Sequence, residues 1–139
     1  MPNASDVDAA VVYVFNASSL INLERNKSLR VLEQLAQSRR LVIPDRVARE
    51  VNAPRNPLES WLSRNRKTVT GLLPEEGTLY LQYLRQTHPK IHDGEAAALA
   101  VAAHRGCTVV IDDRSALQKA AEHNISHLTS GAFLQRLLF

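Results

Sequence analysis

Three short runs of continuously apolar residues constrain this chain more than any other feature: residues 11–15 (VVYVF), 41–43 (LVI) and 108–111 (TVVI). A strand with one wet face alternates apolar and polar residues, whereas a run without polar alternates must be covered on both faces. Between the runs lie apolar residues at helical spacing, such as Val47 and Val51, or Leu79, Tyr80, Tyr83 and Leu84. Strand alternating with helix predicts an α/β fold of three layers, α/β/α, with a central parallel sheet. Residues 68–71 and 126–128 are weaker strand candidates.

Helix ends are marked by residue type. Ser18 or Ser19 is expected to cap a helix through Leu20, Ile21 and Leu23, and Ser28 another carrying Leu29, Val31, Leu32 and Leu35. Pro44 is placed in the first turn of the helix bearing Val47, Pro54 after its end, and Pro57 at the start of the next, around Leu58, Trp61 and Leu62. Residues 94–104 contain six alanines, which predicts a helix pressed close to the sheet and terminated by Gly106. The last two helices are read at 115–123 and 131–138.

At 139 residues, with 45% hydrophobic and 22% charged residues, the chain suits one domain with its own core. Its single cysteine, Cys107, excludes an internal disulfide and a cysteine-based zinc site, and favours a reducing compartment. Residues 1–8 lack the basic and apolar pattern of a signal peptide, and no stretch has the length of a membrane span, so a cytoplasmic protein with no membrane partner is expected. The five histidines show no metal-ligand spacing and are assigned to the surface or to helix ends. Net charge is +3, but eight of the seventeen basic residues fall within residues 39–67, opposed there only by Asp45, Glu50 and Glu59. Such a segment can track a phosphate backbone, or simply form two solvated helix faces.

The chemistry of the chain rests on where its acids fall. Asp112 and Asp113 follow the 108–111 run, and Asn16 holds the same position after the first run. Asp93 and Glu95 flank Gly94 at the start of the alanine-rich helix, and Glu50 lies on the helix after the second run. In an open parallel sheet the carboxyl ends of the strands are where ligands bind. Like charges about 4 Å apart repel by ~4 kcal/mol at an effective dielectric near 20, which a cation relieves. Oxygen-only ligands select hard ions such as Mg²⁺ or Mn²⁺, and a metal-activated water can attack a phosphodiester. Each residue also has a purely structural use: Asp93 and Asp112 can cap helices, Glu50 can pair with Arg46, and Asn16 can serve in a turn.

These residues resemble the PIN-domain nucleases, especially the VapC-type toxins and related stand-alone proteins. That family opens with an apolar strand ending in Asp, a small residue and Ser or Thr; here the text is Val14-Phe15-Asn16-Ala17-Ser18-Ser19-Leu20-Ile21. Its apolar strand, proline and Glu-bearing helix resemble Leu41-Val42-Ile43-Pro44 followed by Glu50, and its acid at the head of an alanine-rich helix resembles His92-Asp93-Gly94-Glu95-Ala96. Its strand ending in Asp resembles Val109-Val110-Ile111-Asp112-Asp113-Arg114. The similarity runs from about Val11 to Leu128, placing the domain at 11–139 behind a tail at 1–10.

The resemblance implies a Mg²⁺- or Mn²⁺-dependent endoribonuclease whose acidic site comprises Asn16, Glu50, Glu95, Asp112 and Asp113. Asp93 is a second-choice ligand, and Asp113 is preferred to Asp112. Ser18 would hydrogen-bond at the first-ligand position and, with Arg46, Arg49 and Arg114, contact RNA. It also implies a toxin restrained by an antitoxin, and a homodimer, for which the apolar helical faces around Trp61 and around Tyr80 and Tyr83 are the exposed candidates in this sequence. Asn16 departs from the family pattern by one negative charge, which implies weakened cleavage. The alternative is a catalytically inactive PIN domain that binds RNA or protein. A phosphoacceptor receiver would need an acidic pair after the first strand, which Asn16-Ala17 is not.

Overall fold

Each apolar run becomes a strand of one parallel sheet in the computed structural model, which describes residues 11–51, 57–86 and 88–138. The strands are β1 (Tyr13–Phe15), β2 (Leu41–Pro44), β3 (Val69–Thr70), β4 (Thr108–Val110) and β5 (His127–Leu128). Their order is β3-β2-β1-β4-β5, with every neighbouring pair parallel. Val14 of β1 stands level with Val42 of β2 and Val109 of β4. The weaker candidates at 68–71 and 126–128 are thus the two edge strands. The expected tail at 1–10 and the role given to Pro54 lie outside the described residues.

Eight helices among the described residues cover the sheet: α1 (Ala17–Arg25), α2 (Leu29–Gln37), α3 (Asp45–Glu50), α4 (Pro57–Arg64), α5 (Pro74–Arg85), α6 (Asp93–Arg105), α7 (Arg114–Glu122) and α8 (Ser130–Leu138). Successive side chains of a strand point to opposite faces, and β1 shows the result. Val14 joins the core made with α5, α6 and α7, while Tyr13 and Phe15 join the core made with α1 to α4 and α8. In the second core Phe133 stands edge-on to Tyr13 at 5.0 Å and to Phe15 at 5.1 Å. Such pairs add about 0.5–1.5 kcal/mol each beyond burial. No helix among the described residues is long and apolar enough to cross a membrane.

The alanines of α6 bury nearly its whole length, from Gly94 to Ala102, against the sheet and α5. Gly106 ends it at φ +69°, a left-handed cap that a side chain would strain. At the same end, fully buried Glu76 of α5 accepts from Arg105 Nε at 2.7 Å and meets His104 Nδ1 at 3.0 Å, clamping the two helices together.

Several expectations are corrected. Asn16, not Ser18 or Ser19, caps α1, because its extended backbone and side-chain oxygen stand three residues before the Ser19 N–H. Ser28 precedes α2 without a side-chain cap, its hydroxyl turning instead to the Asn26 carbonyl. Pro44 ends β2 with extended backbone and is not in the first turn of α3. Trp61, Tyr80 and Tyr83 do not form exposed faces: they are 3%, 8% and 3% exposed, since each amphipathic helix turns its aromatic side inward. Trp61 satisfies its indole N–H on Glu33 Oε2 at 2.8 Å.

Candidate metal centre

Strand order reverses between β1 and β4, so the residues after those strands border the crevice where open α/β sheets take ligands. After β1 comes Asn16, 2% exposed. Its Oδ1 accepts from Ser19 N at 3.0 Å and Ser19 Oγ at 2.8 Å, while Ser19 Oγ accepts from Asn16 N at 3.1 Å. The hydrogen bonds expected of Ser18 are therefore made by Ser19, and Ser18 is exposed. The Asn-x-x-Ser spacing of a capping box was readable in the sequence.

After β4 the two aspartates divide their work. Asp112 accepts from Asn22 Nδ2 at 2.7 Å with one oxygen and from Ser130 N at 2.8 Å with the other, tying α1 to the start of α8. It does not cap the helix that follows. Asp113 does: its Oδ2 accepts from Ala116 N at 3.0 Å at the head of α7. Arg114 is exposed and forms no ion pair among the described residues.

Two glutamates approach from the side. Glu95 sits in the first turn of α6, 8% exposed, with Oε1 accepting from His92 N at 2.9 Å. Burial pushes its pKa up, and the charges of Asp113 and Glu50 push it further. Glu50, the last residue of α3, lays its carboxylate against Gly94 at the head of α6. Its pKa is raised by burial and by the nearby Asp93. A β-carbon on Gly94 would lie 2.2 Å from Glu50 Oε1, so the seat exists only because residue 94 has no side chain. The sequence shows a glycine between two acids, but nothing in it says that Glu50 docks there.

Asp93 has different company. The Tyr80 hydroxyl donates to Asp93 Oδ1, and Arg46 lies 3.7 Å from Asp93 Oδ2. The same guanidinium stacks over the Tyr80 ring, 4.5 Å from its centre, an arrangement that attracts it to the ring face. Arg46 thus pairs with Asp93 rather than with Glu50, and Arg49 reaches Asp45 at 3.5 Å. Tyr80 is the participant that sequence reasoning places elsewhere; its position on an apolar helical face hides the inward-pointing hydroxyl.

Asp93 is therefore compensated by a cation and Asp112 by two donors. Glu50, Glu95 and Asp113 form no ion pair among the described residues, and Glu95 feels both of the others. Among the described residues no three His, Cys, Asp or Glu side chains close on one point as a metal cage. The donor chemistry nevertheless fits a hard divalent ion. Mg²⁺ keeps several waters and is usually held by one or two carboxylates rather than by a protein cage.

None of the curated proteins compared with the chain matches it. Residues 12–131 match a family described as a PIN domain, a span from just before β1 to the start of α8 that includes every acid discussed above. Together with the five-stranded parallel sheet and the carboxylates gathered at its switch point, this shows that the chain belongs to the PIN-domain family, a nuclease-type fold whose members commonly use divalent metals.

Proposed function

We propose that this protein is a PIN-type endoribonuclease dependent on Mg²⁺ or Mn²⁺, weakened by Asn16. The observation that carries this reading is the gathering of three acids at one end of the fold: Glu50 lies against Gly94 at the head of α6, next to Glu95, whose carboxyl feels the charges of both Glu50 and Asp113, and none of the three has an ion pair among the described residues. Glu95 and Asp113 would hold the ion, which when bound supplies an activated water and neutralises charge on the phosphate. Glu50, whose raised pKa makes it a stronger base, takes the proton of the attacking water at a carboxylate oxygen. Asp93, held by Tyr80 and Arg46, orients the head of α6, and Asp112 keeps the β4 terminus in register with α1 and α8. Arg46, Arg49 and Arg114 border this end of the sheet and would meet the phosphates. A toxin role, with an antitoxin covering the cleft, extends the reading and rests on the family resemblance. So does self-pairing, for which α5 offers its half-exposed Leu81 rather than the buried tyrosines.

One observation favours a second reading, an inactive PIN domain that binds RNA or protein. Asn16 Oδ1 already accepts two hydrogen bonds from Ser19 and carries no charge to offer an ion. Asn16→Asp separates the two readings. Asp is an equally good cap, so the fold should hold, and the added carboxylate oxygen is free for metal. The variant should gain Mn²⁺-dependent thermal stability, set by the ratio of ion concentration to Kd, together with Mn²⁺-dependent cleavage of single-stranded RNA. Asn16→Ala should lose about 1 kcal/mol of stability with the cap and bind metal no better than the parent. An aspartate variant that gains neither property overturns the nuclease reading in favour of the binding module.

A further inference from the structure

Of the eight basic residues in 39–67 only Arg46 and Arg49 enter the site above, and the structure gathers Arg49 with four of the others along one edge. Three adjoining depressions of about 370, 330 and 520 Å³ run beside β3. The first and second share Ser63 and Arg66, and the second and third share Lys67 and Thr68, so they form one continuous groove. Its charged lining is Arg39, Arg49, Arg64, Arg66 and Lys67 against the single carboxylate of Glu59. All five cations are exposed, and among the described residues only Arg49 has an ion-pair partner.

The groove is built rather than incidental. The turn carrying Arg66 and Lys67 is pinned by Thr68 Oγ1 donating to the Asn65 carbonyl at 2.6 Å and by Asn65 Nδ2 donating to the Trp61 carbonyl at 2.9 Å. Arg39 is held in a left-handed conformation at φ +59°, its N–H bonded to the Ala36 carbonyl at 3.1 Å. One end of the groove is Arg49, the neighbour of Glu50 on α3; the other lies by Arg39 and Leu41, at the start of β2.

We propose that this edge is a track for the phosphate backbone of single-stranded RNA, leading a flanking segment of substrate away from the acidic centre. The proposal rests on the ribonuclease reading and adds to it a second binding region, one that works without metal. Repeated cations on a rigid, open groove suit a repeating anion, and each phosphate they neutralise releases counterions. An acidic peptide would satisfy the same charges and serves as an arm of the test.

The test measures binding of a labelled single-stranded oligoribonucleotide to the full chain in EDTA, so that no cleavage intervenes, over a series of salt concentrations. The groove variant combines Arg64→Gln, Arg66→Gln and Lys67→Gln. A control combining Arg25→Gln, Lys27→Gln and Arg30→Gln removes the same charge from exposed positions that do not line the groove. The salt slope for a single strand becomes shallower by about 0.7 for each phosphate that the protein no longer neutralises, so the groove variant should bind about tenfold or more weakly at 0.1 M salt with a slope shallower by about 2. The control should change affinity by less than about threefold. Unchanged binding by the groove variant, or equal weakening in the control, overturns the track while leaving the ribonuclease reading standing. A polyglutamate peptide of matched charge that binds the parent as tightly as RNA also overturns it. A parent chain that binds no RNA at low salt, with or without Mn²⁺, overturns both.

Discussion

Gly94→Ala should disable the acidic centre while leaving the fold nearly intact. The new β-carbon would stand 2.2 Å from Glu50 Oε1, 2.7 Å from its Cδ and 2.9 Å from Oε2, all inside any tolerable separation. These atoms are the far end of a flexible side chain on an exposed residue, desolvated only in part where it meets α6, so the carboxylate swings away and the helices stay in place. The change takes the carboxylate away from the Gly94 N–H, which favours its ionised form. A full hydrogen bond to an ionised acceptor is worth about 1.5–3 kcal/mol when buried, and this looser, water-screened contact about 1 kcal/mol at most. Alanine returns up to about 1 kcal/mol of helix propensity, less in the first turn where residue 94 lies. The balance is within about 1 kcal/mol of zero, a Tm change of no more than about 4 °C for a domain of this size. In the Asn16→Asp background the displaced Glu50 should lower the rate of RNA cleavage by about tenfold or more, equivalent to ~1.4 kcal/mol. Urea titration and single-turnover cleavage read the two quantities separately. Cleavage at the background rate would show that Glu50 needs no seat on α6. A stability loss above about 3 kcal/mol would show that the clash reaches the backbone.

Glu95→Gln should stabilise the metal-free chain at pH 7 by about 1 kcal/mol, because burial and two neighbouring carboxylates hold the Glu95 pKa above its usual 4.5. A carboxyl with a raised folded pKa contributes its stability fully below the unfolded value and loses it as pH rises through the folded value. The gain should therefore shrink toward zero below about pH 4, and urea melts at both pH values check it. A glutamine variant less stable than the parent at pH 7 would refute the repulsion. Tyr13→Phe should add about 1 kcal/mol, since the Tyr13 hydroxyl is buried in the core with no hydrogen-bond partner among the described residues. A lowered Tm would show that the hydroxyl is satisfied.

Much of this protein was determined by its sequence alone. The apolar runs specified parallel strands because nothing but coverage on both faces suits them, and the two-residue edge strands β3 and β5 were marked by weaker versions of the same pattern. The alanine content of α6 foretold its burial, and Gly106 its end. The positions of Asn16, Glu50, Glu95 and Asp113 near strand and helix ends were legible for the same reason, since such ends are where chain direction and hydrophobic pattern change. Tertiary structure decided which acids keep their charge uncompensated. Whether Asp112 serves Asn22 and Ser130, or Asp93 serves Tyr80 and Arg46, depends on partners up to ninety positions away, which no local pattern encodes. The seat of Glu50 on Gly94 is of the same kind: a missing side chain on one helix has meaning only once another helix is packed against it. Trp61 and Tyr80 show the limit from the other side, because an amphipathic face looks the same in sequence whether it meets a partner or its own core, and only the packed layers place it inside.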